Sequence, residues 1–191
     1  MGASGIVYRL LDGRAAAERE GDLLALAGEV YGNAGDPEAA RRARVRRRQP
    51  GFVLAEARHG GYLVGYAAGM PLRPSTSWWR DLTTPLPSDV TTEHPGRTFA
   101  LTDLLVRASW RRQGIGGELH ALLLDGRPEE RATLTVPSGA GGAGAASAAQ
   151  AAFRSWGWRK VARARGDGTA GPVLDVLVLG LPWRPPSRRD W

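Results

Sequence analysis

Cysteine is absent from the 191 residues. That excludes disulfides, thiolate metal sites and a cysteine acyl-enzyme route. Lysine is almost absent too: Lys160 is the only one, so arginine carries nearly all the positive charge. No apolar run approaches the ~20 residues that cross a bilayer. The opening MGASGI lacks the charged and apolar segments of a secretion signal. A soluble, cytoplasmic protein with no membrane partner is expected. His59, His94 and His120 are scattered, with neither H-E-x-x-H nor another metal-ligand spacing, so no metal is expected. A G-x-S-x-G elbow is also missing.

What is present suits one globular domain, 42% hydrophobic and 24% charged. The net charge of +7 favours anionic ligands such as phosphorylated cofactors. Ile6 to Leu10 reads as a strand and Ala15 to Tyr31 as a helix. Asp36-Pro37-Glu38 opens a second helix with a capping acid and a proline at the first helical position. That helix carries Arg41, Arg42, Arg44, Arg46, Arg47 and Arg48, which read either as a solvated face or as a phosphate or nucleic-acid face. Phe52 to Ala57 and Tyr62 to Met70 are strand-like, with Arg58-His59-Gly60-Gly61 as the hairpin turn. Pro71 to Arg97 is a long irregular connection holding Trp78, Trp79, Asp81, Asp89 and Glu93. Its tryptophans beside acids suit a cationic ligand; equally they suit an anchor folded onto the core.

Leu101 to Leu124 is the organising stretch. Leu101, Leu104, Leu105 and Val106 make a strand-length apolar run. Ile115, Leu119, Leu122 and Leu123 fall on one helical stripe. Between them, Arg111, Arg112 and Gln113 lead into Gly114-Ile115-Gly116-Gly117. A glycine-opened helix N-terminus flanked by arginines offers free N–H groups and a positive dipole end to an anion. A dinucleotide fold would need glycine where Leu119 stands, and a P-loop would need lysine where Glu118 stands. The acyl-CoA turn, Gln/Arg-x-x-Gly-x-Gly/Ala, is matched at each fixed position from Arg111 to Gly116.

Beyond it, Arg131 to Val136 alternates as a strand and Pro137 to Gln150 is a low-complexity Gly/Ala segment. Its alanine-rich end enters a helix running to about Trp156. Trp158 to Ala164 reads as a strand, Gly166 to Pro172 as a turn, and Val173 to Leu181 as a strand buried apart from Asp175. Val106 to Arg111, the turn, and the later Ala149 to Trp158 with its Gly157-Trp158 ending together resemble the GNAT family of N-acetyltransferases.

That resemblance implies an α/β (α+β) fold: a mixed, mostly antiparallel central sheet flanked by helices, in the order β-α-α-β-β-β-α-β-α-β-β. A single acetyltransferase domain over 1–181 and a Pro/Arg-rich tail over 182–191 are expected. Acetyl-CoA would sit in a V-shaped gap, held by Leu104, Leu105, Val106, Arg111, Arg112, Gln113, Gly114, Ile115, Gly116 and Gly117, with Phe153 nearby. The implied reaction is direct acetyl transfer to a primary amine: a small molecule, an antibiotic or a peptide N-terminus. Asp103 is the candidate base, with Glu93 and His94 as weaker alternatives. Trp78, Trp79 and Glu93 are the candidate acceptor contacts. Phe153 stands where relatives carry the tyrosine that protonates the departing thiolate, and Ala146 stands near the place of a familiar asparagine. The alternative is therefore a non-catalytic acyl-CoA-binding or sensing module. Monomer and homodimer both stay open, and nucleic acid is not expected as a partner.

Overall fold

A computed structural model describes residues 5–138, 145–166 and 171–183. The chain forms two compact units, Met1–Met70 with Leu101–Asp125, and Pro71–Ala100 with Gly126–Trp191. Among the described residues, seven strands make a mixed, mostly antiparallel sheet with helices alongside.

In the first unit, β1 (Ile6–Asp12) pairs antiparallel with β2 (Val53–His59), which pairs with β3 (Tyr62–Pro71). Gly60 and Gly61 take φ of 54° and 85°, the two positive angles that a tight hairpin matched to strand twist requires. The expected helix over Ala15 to Tyr31 is instead two: α1 (Gly13–Ala17) and α2 (Glu20–Tyr31). Asp12 starts the first by accepting from the Ala15 N–H at 2.8 Å. The polar Glu18-Arg19-Glu20 run then interrupts the apolar stripe, so nothing there rewards a continuous helix. α3 (Pro37–Arg47) begins as its sequence predicts, Asp36 accepting from the Glu38 N–H at 2.9 Å. Leu23, Leu26, Phe52, Leu54, Leu63, Tyr66 and Leu105 form this unit's core. The last part of β4 (Thr98–Val106), a 3-10 turn (Ala108–Trp110) and α5 (Ile115–Leu124) complete it.

In the second unit, the start of β4 runs parallel to β5 (Arg131–Pro137) over Thr98↔Arg131 to Ala100↔Thr133. β5 pairs antiparallel with β7 (Val173–Gly180), and β7 with β6 (Arg159–Arg165). α4 (Ser88–Thr91) is one turn inside the long connection, and α6 (Ala145–Ser155) precedes β6. Residues 139–144 of the Gly/Ala segment, 167–170 of the turn and 184–191 of the tail lie outside the described residues. The connection from Pro71 is tied down rather than loose. Thr83 N–H donates to the Arg163 carbonyl at 2.8 Å and Arg165 N–H to the Asp81 carbonyl at 3.0 Å.

Asp175 departs from expectation, being only 7% exposed. Lys160 lies 2.6 Å from it and Arg163 3.5 Å, and Gln150 donates to it at 3.2 Å. Long cationic side chains on β6 cover the carboxylate, which a strand read in isolation does not reveal. Among the described residues no helix is long and apolar enough to cross a membrane.

Candidate active site

The turn after β4 is built as an anion cradle. Gly114, at φ 82°, caps α5 with no side-chain hydrogen bond. The first i→i+4 bond is Glu118 N–H to the Gly114 carbonyl at 3.1 Å. The N–H groups of Ile115, Gly116 and Gly117 thus have no partner within the helix. A Cβ built on Gly114 meets nothing within 4 Å, so open space faces the turn. Arg112 holds φ at 65°, a left-handed conformation rare outside glycine. Arg111 and Arg112 are exposed, while Gln113, Gly116 and Gly117 are half-buried. Arg111 Nε donates to the Val106 carbonyl at 3.0 Å, lashing the turn to the strand end. Ile115, Leu119 and Leu123, each at most 1% exposed, root α5 in the core; Leu122 is only half-buried. Bare N–H groups, missing Cβ atoms and two cations suit the pyrophosphate of a nucleotide such as coenzyme A.

Asp103 lies three residues before Val106 on β4, its side chain 10% exposed. Tyr31 Oη donates to Oδ1 at 3.3 Å and Thr102 Oγ1 to Oδ2 at 3.0 Å. Arg46 Nη2 stands 3.6 Å from Oδ2. The carboxylate opens on a cavity of about 250 Å³ within the first unit. Leu23, Ala27, Phe52 and Leu54 give it apolar walls; Arg42, Arg46, Tyr31 and Tyr66 add polar groups. Both tyrosine hydroxyls have raised pKa values, first through removal from water and next through the Asp103 charge. Tyr31 keeps 55% of its surface exposed, so for it the contact with Asp103 is the firmer of the two causes. Both phenols stay protonated at neutral pH, leaving Tyr31 a donor to Asp103.

Trp78, Trp79, Glu93, His94 and Phe153 lie in the second unit. Trp79 is 9% exposed and Trp78 half-buried, both within a cluster around Leu72, Ala100 and Val176. Trp79 and Glu93 also line a cavity together with Arg80, Thr91 and Thr92. Glu93, 5% exposed, accepts from Trp79 Nε1 at 2.9 Å, Thr98 Oγ1 at 2.9 Å and Arg131 at 3.1 Å. It is the acceptor that lets a tryptophan N–H, a hydroxyl and a guanidinium be buried together. Phe153, 7% exposed, meets Trp156 and Trp158 edge-on at 5.5 and 5.8 Å between ring centres. The helix backbone at Ala146 is described, but its side chain is not. His94 is exposed, 3.6 Å from Glu130. His120 is fully buried on α5, and burial pushes its pKa down to about 3, so it is neutral.

Sequence reasoning missed Tyr31, Arg42, Arg46, Tyr66 and Thr102. Spacing could have offered Arg42 and Arg46, one turn apart with Ala39 and Ala43 on the same face. Nothing local tells which of six arginines faces inward.

Residues 19–136 match the model of the Acetyltransferase (GNAT) family. No curated protein matches the chain in sequence. Among solved structures, it is similar to an aminoglycoside 6'-N-acetyltransferase complexed with coenzyme A (TM-score 0.68, 13% identity, 94% of this chain and 99% of that one). It is similar also to Arabidopsis thaliana NAA60 in complex with acetyl-CoA (TM-score 0.64, 15% identity, 92% and 98%). A third is the ribosomal-protein-alanine N-acetyltransferase from Brucella melitensis (TM-score 0.61, 20% identity, 92% and 99%). At these identities the likeness is one of fold.

Proposed function

Because the chain belongs to the acetyltransferase (GNAT) family, we propose that it moves an acetyl group from acetyl-CoA directly onto a primary amine seated beside Asp103. The observation that carries this is continuity. One segment runs from the carboxylate at Asp103, through the strand end at Val106, to the bare helix N-terminus at Gly114. Whatever positions the donor on the turn therefore also positions it against the base.

When bound, acetyl-CoA supplies a thioester whose C–S bond breaks as the amine forms its N–C bond. N–H groups from Gln113 to Gly117 hold the pyrophosphate, with Arg111 and Arg112 adding charge. Within its own unit β4 is the edge strand, so Leu104 to Val106 offer backbone groups to an extended ligand arm. One of those N–H groups would polarise the carbonyl that the amine attacks. An amine at neutral pH is mostly protonated and cannot attack until it loses a proton. Asp103 takes that proton, directly or through a water, while Tyr31 and Thr102 fix its orientation.

The test is thiol release from acetyl-CoA over an amine panel, with Asp103→Asn alongside. Wild-type protein should release thiol with at least one primary amine. Asp103→Asn should lower kcat/KM by about 100-fold or more, with partial recovery at high pH where the amine deprotonates unaided. Calorimetric acetyl-CoA affinity should stay unchanged. A variant with the wild-type pH profile would remove Asp103 from the role.

A further inference from the structure

The arginines of α3 divide into two sets. Arg41 pairs with Glu38 at 3.0 Å, Arg44 with Glu20 at 2.6 Å, and Arg47 closes on the same Glu20. These three are held by close carboxylates, Arg44 and Arg47 sharing one, and Arg47 also borders the Asp103 cavity. Arg42 and Arg46 differ. Their acids are Asp36 at 3.9 Å and Asp103 at 3.6 Å, both beyond a direct hydrogen bond. Four residues apart on one helix face, they both line the Asp103 cavity. Two guanidinium forks with loose partners thus flank one carboxylate, over a floor of leucine and alanine.

Resting on the function proposed above, we infer that the acceptor is an amine carrying a nearby carboxylate on an apolar body, with Arg42 and Arg46 binding the anion and Asp103 receiving the ammonium. The charge arithmetic favours this class over a polycation. A polyamine or amino sugar would bring further positive charge into a cavity lined by Arg42, Arg46 and the Glu20-paired Arg47, with Asp103 as its lining acid. A zwitterion matches both signs. Its anion also satisfies Arg46 in place of Asp103, which leaves the carboxylate available to the amine.

Leucine, phenylalanine and glutamate would be compared as free acids and as their α-amides, with tobramycin as the polycation, each rate of thiol release normalised to the free-amine fraction. The expected result is a kcat/KM about tenfold higher for at least one acid than for its amide. That ratio should collapse about fivefold or more in Arg42→Gln and in Arg46→Gln, and recover in part in Arg46→Lys, which keeps the charge and loses the fork. Where amines are acetylated, equal rates for every acid and its amide, or tobramycin leading all acids, would overturn the inference. Calorimetry with the N-acetylated acids and N-acetylated amides separates this from failure of the transfer reading. Arg46-dependent preference for the acids supports the anion site even if no amine is acetylated, an outcome that sinks the transfer reading alone. Acids and amides binding alike overturns the site whatever the turnover.

Discussion

Gly65 sits on β3 where a side chain has no room. A Cβ there would stand 2.8 Å from the Leu105 carbonyl oxygen, 3.1 Å from Leu119 and 3.3 Å from Val106. The first of these is backbone, so relief requires moving β4 itself rather than turning a rotamer. Gly65→Ala would ordinarily gain about 0.5–1 kcal/mol by restraining the unfolded chain. Overpacking of this kind costs about 1–3 kcal/mol. The cost prevails, because the clash is with a buried carbonyl in a strand held on both sides by core contacts. A net loss of about 1–2 kcal/mol lowers Tm by about 2–8 °C for a chain of this size. The strand that must yield is the one proposed to meet the cofactor arm. A shift there of a few tenths of an ångström should weaken acetyl-CoA affinity about tenfold or more. Thermal denaturation and calorimetric titration with acetyl-CoA measure the two effects, and Gly21→Ala on α2, with nothing within 4 Å of its Cβ, is the control. Unchanged Tm and unchanged acetyl-CoA affinity in Gly65→Ala would refute the close approach and the role given to β4.

Two other outcomes follow from buried groups. His120 keeps a pKa of about 3 in the fold against an ordinary 6.5, so the unfolded chain takes up its proton first as pH falls. Its contribution is whole above pH 6.5 and declines from there toward pH 3; His120→Gln should therefore lose less stability in urea melts from neutral to acidic pH than wild type, and parallel curves would contradict this. Phe153→Tyr should leave kcat within about twofold, since a thiol is acidic enough to leave without a donor; a rise of about tenfold or more would show that the missing proton donor limits turnover.

Patterns with a short reach were legible before any coordinates. The stripe of α5, the Asp36-Pro37 start of α3, the Gly-Gly hairpin and the acyl-CoA turn each depend on residues a few positions apart. Asp103 could be singled out because its strand position relative to the turn is also local. What escaped depends on distant partners. Asp175 reads as an exposed flaw in an apolar strand until Lys160 and Arg163 arrive from β6. The hydrogen bonds of Trp78 to Thr133 and of Trp79 to Glu93 likewise join residues far apart in sequence. The five arginines of α3 look alike until Glu20 claims two of them.

The tethered connection from Pro71 to Arg97 bears on how the protein breathes. Segments of this length without regular structure are commonly the first to open. Here Leu82 bridges Ala164, two main-chain bonds join residues 81 and 83 to β6, and Trp79 is plugged into the core beneath. Lifting it would expose an indole and leave Glu93 and Arg131 without each other in one step. The amides of Thr83 in the connection and Arg165 on β6 should exchange with solvent on the timescale of the strands they border.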